Sequence, residues 1–115
     1  MDSFVIEGPV RLAGTVEVGG AKNAVLPVMT AALLCDGVSL IERVPHLRDT
    51  ETMAHLLRVL GARVEHHNNV MRIDTRGYDY CEAPYDLVKT MRASVYALGP
   101  LLARKGRARV SLPGG

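Results

Sequence analysis

A glycine pair followed by a lysine, at the start of an apolar segment, is the feature that most constrains this chain. Residues 19–23 read Gly-Gly-Ala-Lys-Asn and lead directly into the apolar run 24–34. Glycine has no Cβ, so the backbone can approach a ligand closely at the pair. Unpaired N–H groups and the positive dipole end at a helix N-terminus favour an anion, and Lys22 adds a full charge. The segment predicts either a phosphate-holding turn into a helix or a plain structural turn with a solvated lysine.

The sequence does not match the motif of ATP and GTP sites, G-x-x-x-x-G-K-[ST]. Gly14 and Gly19 have its first spacing, but Gly20 follows them in place of the lysine. Asn23 follows Lys22 and offers an amide where that motif needs a hydroxyl for magnesium. A P-loop nucleotide site is therefore excluded.

Composition argues against several classes of partner. The 115 residues carry a net charge of only +2, and aromatic residues make up 4% with no Trp, which disfavours a base-stacking surface for nucleic acid. No uncharged apolar run reaches the roughly 18 to 20 residues of a membrane span. Since the N-terminus also lacks a basic region followed by a long apolar segment, we expect a cytoplasmic protein.

A basic cluster near residue 106 could contact nucleic acid or form a solvated helix end. Cations favour the negative end of the helix dipole, and these residues follow a helical pattern and surround Gly106, so the helix end is favoured. The cluster consists of Arg104, Lys105, Arg107 and Arg109.

The cysteines and histidines predict no metal site and no cofactor. Cys35 and Cys81 have neither metal-ligand spacing nor the numbers of a disulfide framework, and we expect both to be buried or partly buried small apolar residues. The histidines lack a convergent third ligand and are expected at the surface. They are His46, His55, His66 and His67.

Apolar periodicity and turn residues predict the order strand, helix, strand, helix, strand, strand. Asp49 is expected to cap the second helix, and Gly61 to close it. The Asn68-Asn69 pair is expected to form the hairpin turn. The predicted elements are strands over 4–6 and 15–18, a helix over 23–34, a strand over 38–42, a helix over 49–60, and hairpin strands over 63–65 and 70–74.

A second copy of this pattern begins after the hairpin. Displacing the sequence by about 69 residues aligns Gly37 with Gly106 and places Asn23 on Arg92. Two polar residues at matching helix starts predict two walls of one site.

The second copy is expected to contain a helix over 87–102 that bends or restarts at Pro100, followed by a strand over 110–112. Residues 113–115 read Pro-Gly-Gly, a turn directly after a strand. We therefore expect the chain to be part of a longer protein.

Three stretches resemble the UDP-N-acetylglucosamine enolpyruvyl transferases. Residues 19–24 read Gly-Gly-Ala-Lys-Asn-Ala, residues 83–94 read Ala-Pro-Tyr-Asp-Leu-Val-Lys-Thr-Met-Arg-Ala-Ser, and residues 111–115 read Ser-Leu-Pro-Gly-Gly. The resemblance runs along the whole chain. The related shikimate-pathway enolpyruvyl transferases typically have Ser after the lysine, so Asn23 favours the cell-wall enzymes.

The resemblance implies an α/β (α+β) fold with two domains, each an inside-out α/β barrel built from three βαβαββ units. This chain would form about the first quarter, and its barrel would be incomplete. Residues 1–20 would be opening strands that pack with the second domain. Residues 21–115 would be the first part of the first domain, truncated.

The resemblance also implies a reaction that moves the enolpyruvyl group of phosphoenolpyruvate to the 3-hydroxyl of UDP-N-acetylglucosamine and releases phosphate, the first committed step of peptidoglycan biosynthesis. Lys22 and Asn23 would bind phosphoenolpyruvate, and Asn23 and Arg92 the nucleotide sugar. Arg48 and Asp49 are possible further contacts, although for Asp49 helix capping is favoured over substrate contact.

The family's proton donor, usually Cys, would directly follow Gly115. These residues alone are therefore expected to hold no catalytic group and no transferase activity, and to need the rest of the enzyme for a complete site. The alternative is a non-catalytic module that binds a nucleotide sugar or phosphate.

Overall fold

The computed structural model describes residues 2–79 and 82–111. In these ranges helices and strands alternate in the first half, and short helical segments dominate the second. The helices are α1 (Lys22–Ala31), α2 (Arg48–Val59), α3 (Tyr85–Val88) and α4 (Leu98–Lys105), with 3₁₀ helices at Ala32–Leu34 and Arg92–Ala97; the strands are β1 (Val38–Ile41), β2 (Arg63–His67), β3 (Val70–Asp74), β4 (Glu82–Ala83) and β5 (Arg109–Val110).

The central sheet has the strand order β1-β3-β2, and both pairings are antiparallel. Arg72 in β3 lies opposite Leu40 of β1 and Glu65 of β2. Asn68 and Asn69 join β2 to β3 with positive φ angles of 50° and 60°, the pair of left-handed conformations that a two-residue hairpin turn requires. The predicted hairpin is confirmed.

Helix α1 packs against α2, and α2 packs against strand β2 of the sheet. Apolar side chains recur at helical spacing in α2 and alternate along β3, so both elements place them in one core. Fully buried members of this core include Met29, Leu33, Met53, Leu57, Leu60, Met71 and Ile73. The described residues form no closed barrel, as expected of an incomplete inside-out α/β fold.

The second half packs beside α1. β4 and β5 pair in parallel, and α4 ends at Gly106, whose φ of 68° is the left-handed conformation common at helix ends. Arg104 Nη1 donates to the Leu34 carbonyl at 3.0 Å, and Lys105 Nζ donates to the Tyr78 carbonyl at 2.6 Å. The two cations therefore lie at a helix end, as the sequence indicated.

Two predicted strands in the opening segment are wrong for the described residues. Residues 4–6 and 15–18 carry no strand hydrogen bonding, and Phe4, Ile6 and Val16 are 97%, 89% and 89% exposed. A strand exists only where a neighbouring backbone offers hydrogen-bond partners, and within the described residues no backbone hydrogen bond pairs residues 4–6 or 15–18 with another segment.

The predicted helix over 87–102 is helical in most of its length, but it is broken at 89–91 and restarts at Leu98 rather than at Pro100. α3 ends at Val88, a 3₁₀ helix begins at Arg92, and α4 starts at Leu98. Pro100 lies in the first turn of α4, where its missing N–H breaks no helical hydrogen bond. Of the predicted strand 110–112, Val110 lies in β5, Ser111 is outside it, and Leu112 and residues 113–115 lie outside the described ranges.

Asp49 does not cap α2, contrary to the sequence prediction. Leu47 occupies the N-cap position, and its N–H donates to Thr50 Oγ1 at 3.0 Å. The same hydroxyl donates to the Pro45 carbonyl, 2.8 Å away. The Thr50 side chain thus supplies the capping hydrogen bond at the start of α2. The Asp49 carboxylate is therefore available to another partner.

Within residues 2–79 and 82–111, the structure contains no helix of sufficient length and apolarity to traverse a lipid bilayer.

Candidate substrate-binding site

The N-terminus of α1 presents a concentration of positive charge. The Ala21 carbonyl accepts the N–H groups of Ala24 and Val25 at 3.1 and 3.0 Å, so the preceding N–H groups of Lys22 and Asn23 have no acceptor within the helix. Among the described residues no side chain caps this helix, and its first turn has no acidic residue. The positive dipole end and the Lys22 ammonium therefore coincide.

Arg92 begins a second helical segment across a cavity from Lys22. The 3₁₀ helix starts at Arg92 after Met91, whose extended backbone turns the chain into it. Both segments border a cavity of about 480 Å³. Its lining consists of Lys22, Asn23, Leu26, Asp49, Thr90, Met91, Arg92, Ala93, Val95 and Tyr96.

One carboxylate, that of Asp49, lines this cavity together with the two cations. Lys22 Nζ lies 2.9 Å from Asp49 Oδ2, and the two side chains are 47% and 35% exposed. Within the described residues no carboxylate oxygen lies within 4.0 Å of the Arg92 guanidinium. Two cations, one anion and a helix N-terminus leave the cavity net positive, which suits an anionic ligand.

The structure brings together four of the five site residues that the sequence indicated. Lys22, Asn23, Asp49 and Arg92 line the cavity. Arg48 does not, because it borders a neighbouring groove with His55 and Asp86, among others. The substrate contacts assigned to all five remain predictions.

Gly20 has a packing role that the sequence did not predict. Gly19 and Gly20 do not line the Lys22 cavity; they border a separate cavity of about 520 Å³ that also includes Arg43. A Cβ on Gly20 would collide with the Arg43 carbonyl oxygen. Glycine is therefore required at position 20 by the packing of one backbone segment on another.

Thr90, Met91 and Tyr96 line the cavity and were not identified from the sequence. Thr90 and Met91 fall in the break between α3 and the 3₁₀ helix, which the continuous apolar periodicity concealed. Tyr96, 47% exposed, lies four residues after Arg92, and that spacing is the signal that could have placed it on the same side.

The cysteine and histidine expectations need correction. Cys35 is exposed rather than buried, because it follows the last turn of the helical segment, and Cys81 lies outside the described residues. The His66 side chain is only 3% exposed, although a surface position was expected. His46 and His66 also share a third neighbour, Glu51, which the sequence analysis did not find.

Residues 6–115 match the profile of the family described as EPSP synthase (3-phosphoshikimate 1-carboxyvinyltransferase). The chain belongs to the EPSP synthase family. The family match covers both halves of the cavity lining, from Lys22 to Tyr96.

Relatives within this family carry the name that the sequence resemblance indicated. The chain is 59% identical to the UDP-N-acetylglucosamine 1-carboxyvinyltransferase of Trichlorobacter lovleyi, over 100% of this chain and 27% of the relative. It is 56% identical to the enzyme of the same name from Geobacter metallireducens, over 100% of this chain and 28% of the relative. The resemblance is confirmed, and the chain spans little more than a quarter of these relatives.

A solved structure supports the fold. The chain resembles the crystal structure of the enolpyruvyl transferase NikO from Streptomyces tendae, with a TM-score of 0.75 and 29% identity. The match covers 85% of this chain and 23% of that one. The chain therefore has the fold of part of an enolpyruvyl transferase.

Proposed function

We propose that the protein carrying this chain transfers the enolpyruvyl group of phosphoenolpyruvate to the 3-hydroxyl of UDP-N-acetylglucosamine and releases phosphate. The observation that carries the proposal is the net positive cavity between two helical starts, with Lys22 on one wall and Arg92 on the other. Both substrates are anions, and the names of the relatives agree with this pair.

Lys22 is the proposed partner of the phosphate of phosphoenolpyruvate. An ammonium group has three donors and no acceptor, so Lys22 can keep its 2.9 Å contact with Asp49 while it donates to a phosphate oxygen. When no anion is bound, Asp49 would keep the Lys22 ammonium near the N-terminus of α1. A bound phosphate would also meet the free N–H groups at the start of α1.

Asn23 and Arg92 are the proposed contacts of the nucleotide sugar. Asn23 offers both a donor and an acceptor, which suits the orientation of a sugar hydroxyl. Arg92 presents a planar guanidinium, which can stack on the flat face of a base such as uracil. The placement of both residues on one cavity supports this division.

The proposed chemistry proceeds by addition and elimination. A proton adds to the methylene carbon of phosphoenolpyruvate, the sugar oxygen bonds to the adjacent cationic carbon and loses its proton, and a tetrahedral phosphate ketal results. Loss of a proton from the new methyl group and departure of phosphate restore the double bond. Lys22 would stabilise the charge on the departing phosphate, while the proton donor is expected from residues outside this chain.

The wider setting follows from the same proposal. Residues 1–20 would pack with a second domain, which accounts for the exposed apolar side chains of Phe4, Ile6 and Val16. The enzyme would act in the cytoplasm at the first committed step of peptidoglycan biosynthesis.

Steady-state kinetics of the full-length protein can distinguish the proposed roles of Lys22 and Arg92. We expect Lys22→Ala to lower kcat/KM for phosphoenolpyruvate by about 10- to 100-fold, the equivalent of about 1.5 to 3 kcal/mol for one charged hydrogen bond. Arg92→Ala should mainly raise KM for UDP-N-acetylglucosamine. The matched control is Arg107→Ala, which removes an exposed cation remote from this cavity.

Wild-type kinetics for Lys22→Ala would refute the phosphate assignment. A full-length protein that binds UDP-N-acetylglucosamine but releases no phosphate from phosphoenolpyruvate would instead support the non-catalytic module.

A further inference from the structure

His46, Glu51 and His66 converge at a place separate from the Lys22 cavity. His46 lies in the loop before α2, Glu51 in the first turn of α2, and His66 in β2. Glu51 Oε1 lies 3.3 Å from His66 Nδ1 and 3.8 Å from His46 Nδ1. One ligand atom from each residue falls within 4.8 Å of the other two.

A hydrogen bond on the far side of the His66 ring determines which ring nitrogen carries the proton. His66 Nε2 lies 3.0 Å from the Val44 carbonyl oxygen. A carbonyl oxygen can only accept, so Nε2 carries the proton. In the neutral ring, Nδ1 then directs a lone pair at the Glu51 carboxylate, and two acceptors at 3.3 Å repel unless a positive species lies between them.

The second imidazole strengthens this requirement. The His46 and His66 rings stack with centroids 3.7 Å apart and planes 12° from parallel, and both Nδ1 atoms approach the same carboxylate oxygen. Two stacked imidazolium ions would repel each other at this distance. A single cation shared by both nitrogens and the carboxylate satisfies all three groups at once.

We propose that His46, Glu51 and His66 bind a late first-row divalent metal ion such as Zn²⁺. Zinc bonds to nitrogen and carboxylate oxygen are about 2.0 to 2.2 Å long in tetrahedral sites, which puts neighbouring ligand atoms about 3.3 Å apart. The 3.3 Å contact between Glu51 and His66 already has this value. Two imidazoles with one carboxylate favour zinc, copper or nickel over the oxygen-preferring magnesium and calcium.

The surroundings of the three side chains suit this use. The His66 ring is 3% exposed, and Val44 fixes its tautomer, the arrangement that commonly orients a metal-bound histidine. The His46 and Glu51 side chains are 53% and 52% exposed, so His46 can turn out of the stack to direct Nδ1 at the ion. The exposed side leaves room for water as a fourth ligand. A bound ion would tie the loop before α2 to β2.

The experiment is a zinc titration of the untagged full-length protein by isothermal calorimetry. We expect His46→Gln and Glu51→Gln each to weaken one zinc-binding event by at least about 10-fold. Both side chains are half-exposed, so neither variant threatens the fold. His67→Gln is the matched control, because it removes an exposed histidine next to His66 and should leave zinc affinity unchanged.

Substitution of Co²⁺ for zinc provides a second readout, since visible absorption bands typical of tetrahedral cobalt should appear in the wild type and in His67→Gln but not in His46→Gln. Zinc affinity that is unaffected by His46→Gln and Glu51→Gln would overturn the proposal. Absence of zinc binding in the wild type would also overturn it.

Discussion

Asp74 ends β3 as a buried carboxylate that one arginine satisfies almost completely. It is 4% exposed, and its oxygens accept hydrogen bonds from Arg76 Nη2 at 2.6 Å, Nε at 2.9 Å and the backbone N–H at 3.1 Å. The pKa of Asp74 lies far below its ordinary value. The main cause is the hydrogen bonding from the Arg76 side chain, followed by the hydrogen bond from the Arg76 backbone N–H, and burial opposes both. The same pairing raises the pKa of Arg76.

Protonation of Asp74 should therefore lower the free energy of unfolding at acid pH. Because its pKa is lowered by folding, the unfolded chain binds a proton at higher pH than the folded chain, and this stabilisation is lost as pH falls below the ordinary aspartate value of 3.8. We expect Asp74→Asn to be less stable than wild type at neutral pH and to lose less stability on acidification. Urea unfolding midpoints measured from pH 7 to pH 2.5 test this.

The control for that series is Asp79→Asn, whose side chain is 95% exposed. It should follow the wild-type pH dependence. A parallel course for wild type and Asp74→Asn would contradict the role assigned to Asp74.

At the scale of elements, the β2–β3 hairpin depends on its two-residue turn. Asn68 and Asn69 both adopt left-handed conformations, which asparagine tolerates better than most residues. The Asn69 carbonyl also accepts the Val44 N–H at 2.8 Å. The turn thus positions both the central strand and the loop that leads to α2.

Replacement of Asn69 should show this conformational demand. A residue with an ordinary Cβ pays about 1 kcal/mol or more in the left-handed region, whereas glycine does not. We expect Asn69→Ala to lower the free energy of unfolding by about 1 kcal/mol and Asn69→Gly to keep it near or above the wild-type value. Urea denaturation measures both, and equal stability of the two variants would argue against a strained turn.

At the scale of the whole molecule, Tyr78 joins the two halves. It is 2% exposed, and its hydroxyl donates to the Leu33 carbonyl at 3.1 Å. Lys105 Nζ lies 4.4 Å from the centre of its ring, and Gly61 leaves space for its backbone. Burial raises the pKa of Tyr78. One side chain therefore contacts the end of the first helical segment and the end of α4.

Truncation of Tyr78 should loosen this junction in two steps. Tyr78→Phe leaves the Leu33 carbonyl without its donor and should cost about 1 kcal/mol, while Tyr78→Ala should cost about 3 to 5 kcal/mol through the cavity it creates. Tyr85→Phe, at a tyrosine that is 56% exposed, should change stability by less than about 0.5 kcal/mol. Urea denaturation measures these free energies of unfolding. Equal losses for Tyr78→Phe and Tyr85→Phe would contradict the role of the Tyr78 hydroxyl in joining the two halves.

Much of the first half could be predicted because its signals are local. The spacing of Met53, Leu57 and Leu60 predicts α2, and the Asn68-Asn69 pair predicts the hairpin. The break near Thr90 could not be predicted, because apolar residues continue at helical spacing on both sides of it. The opening strands were predicted from side-chain pattern alone, but a strand also needs a neighbouring backbone.

The sequence by itself determined the family, the order of the main helices and strands of the first half, and which cations begin helical segments, since each depends on residues that are close together in the chain. Only the tertiary structure decided that Asp49 contacts Lys22 rather than capping α2, that Arg92 shares their cavity, and that Glu51 meets His66. These contacts join residues from separate elements. Their geometry is set by how the elements pack around the common core, and no local pattern records that packing.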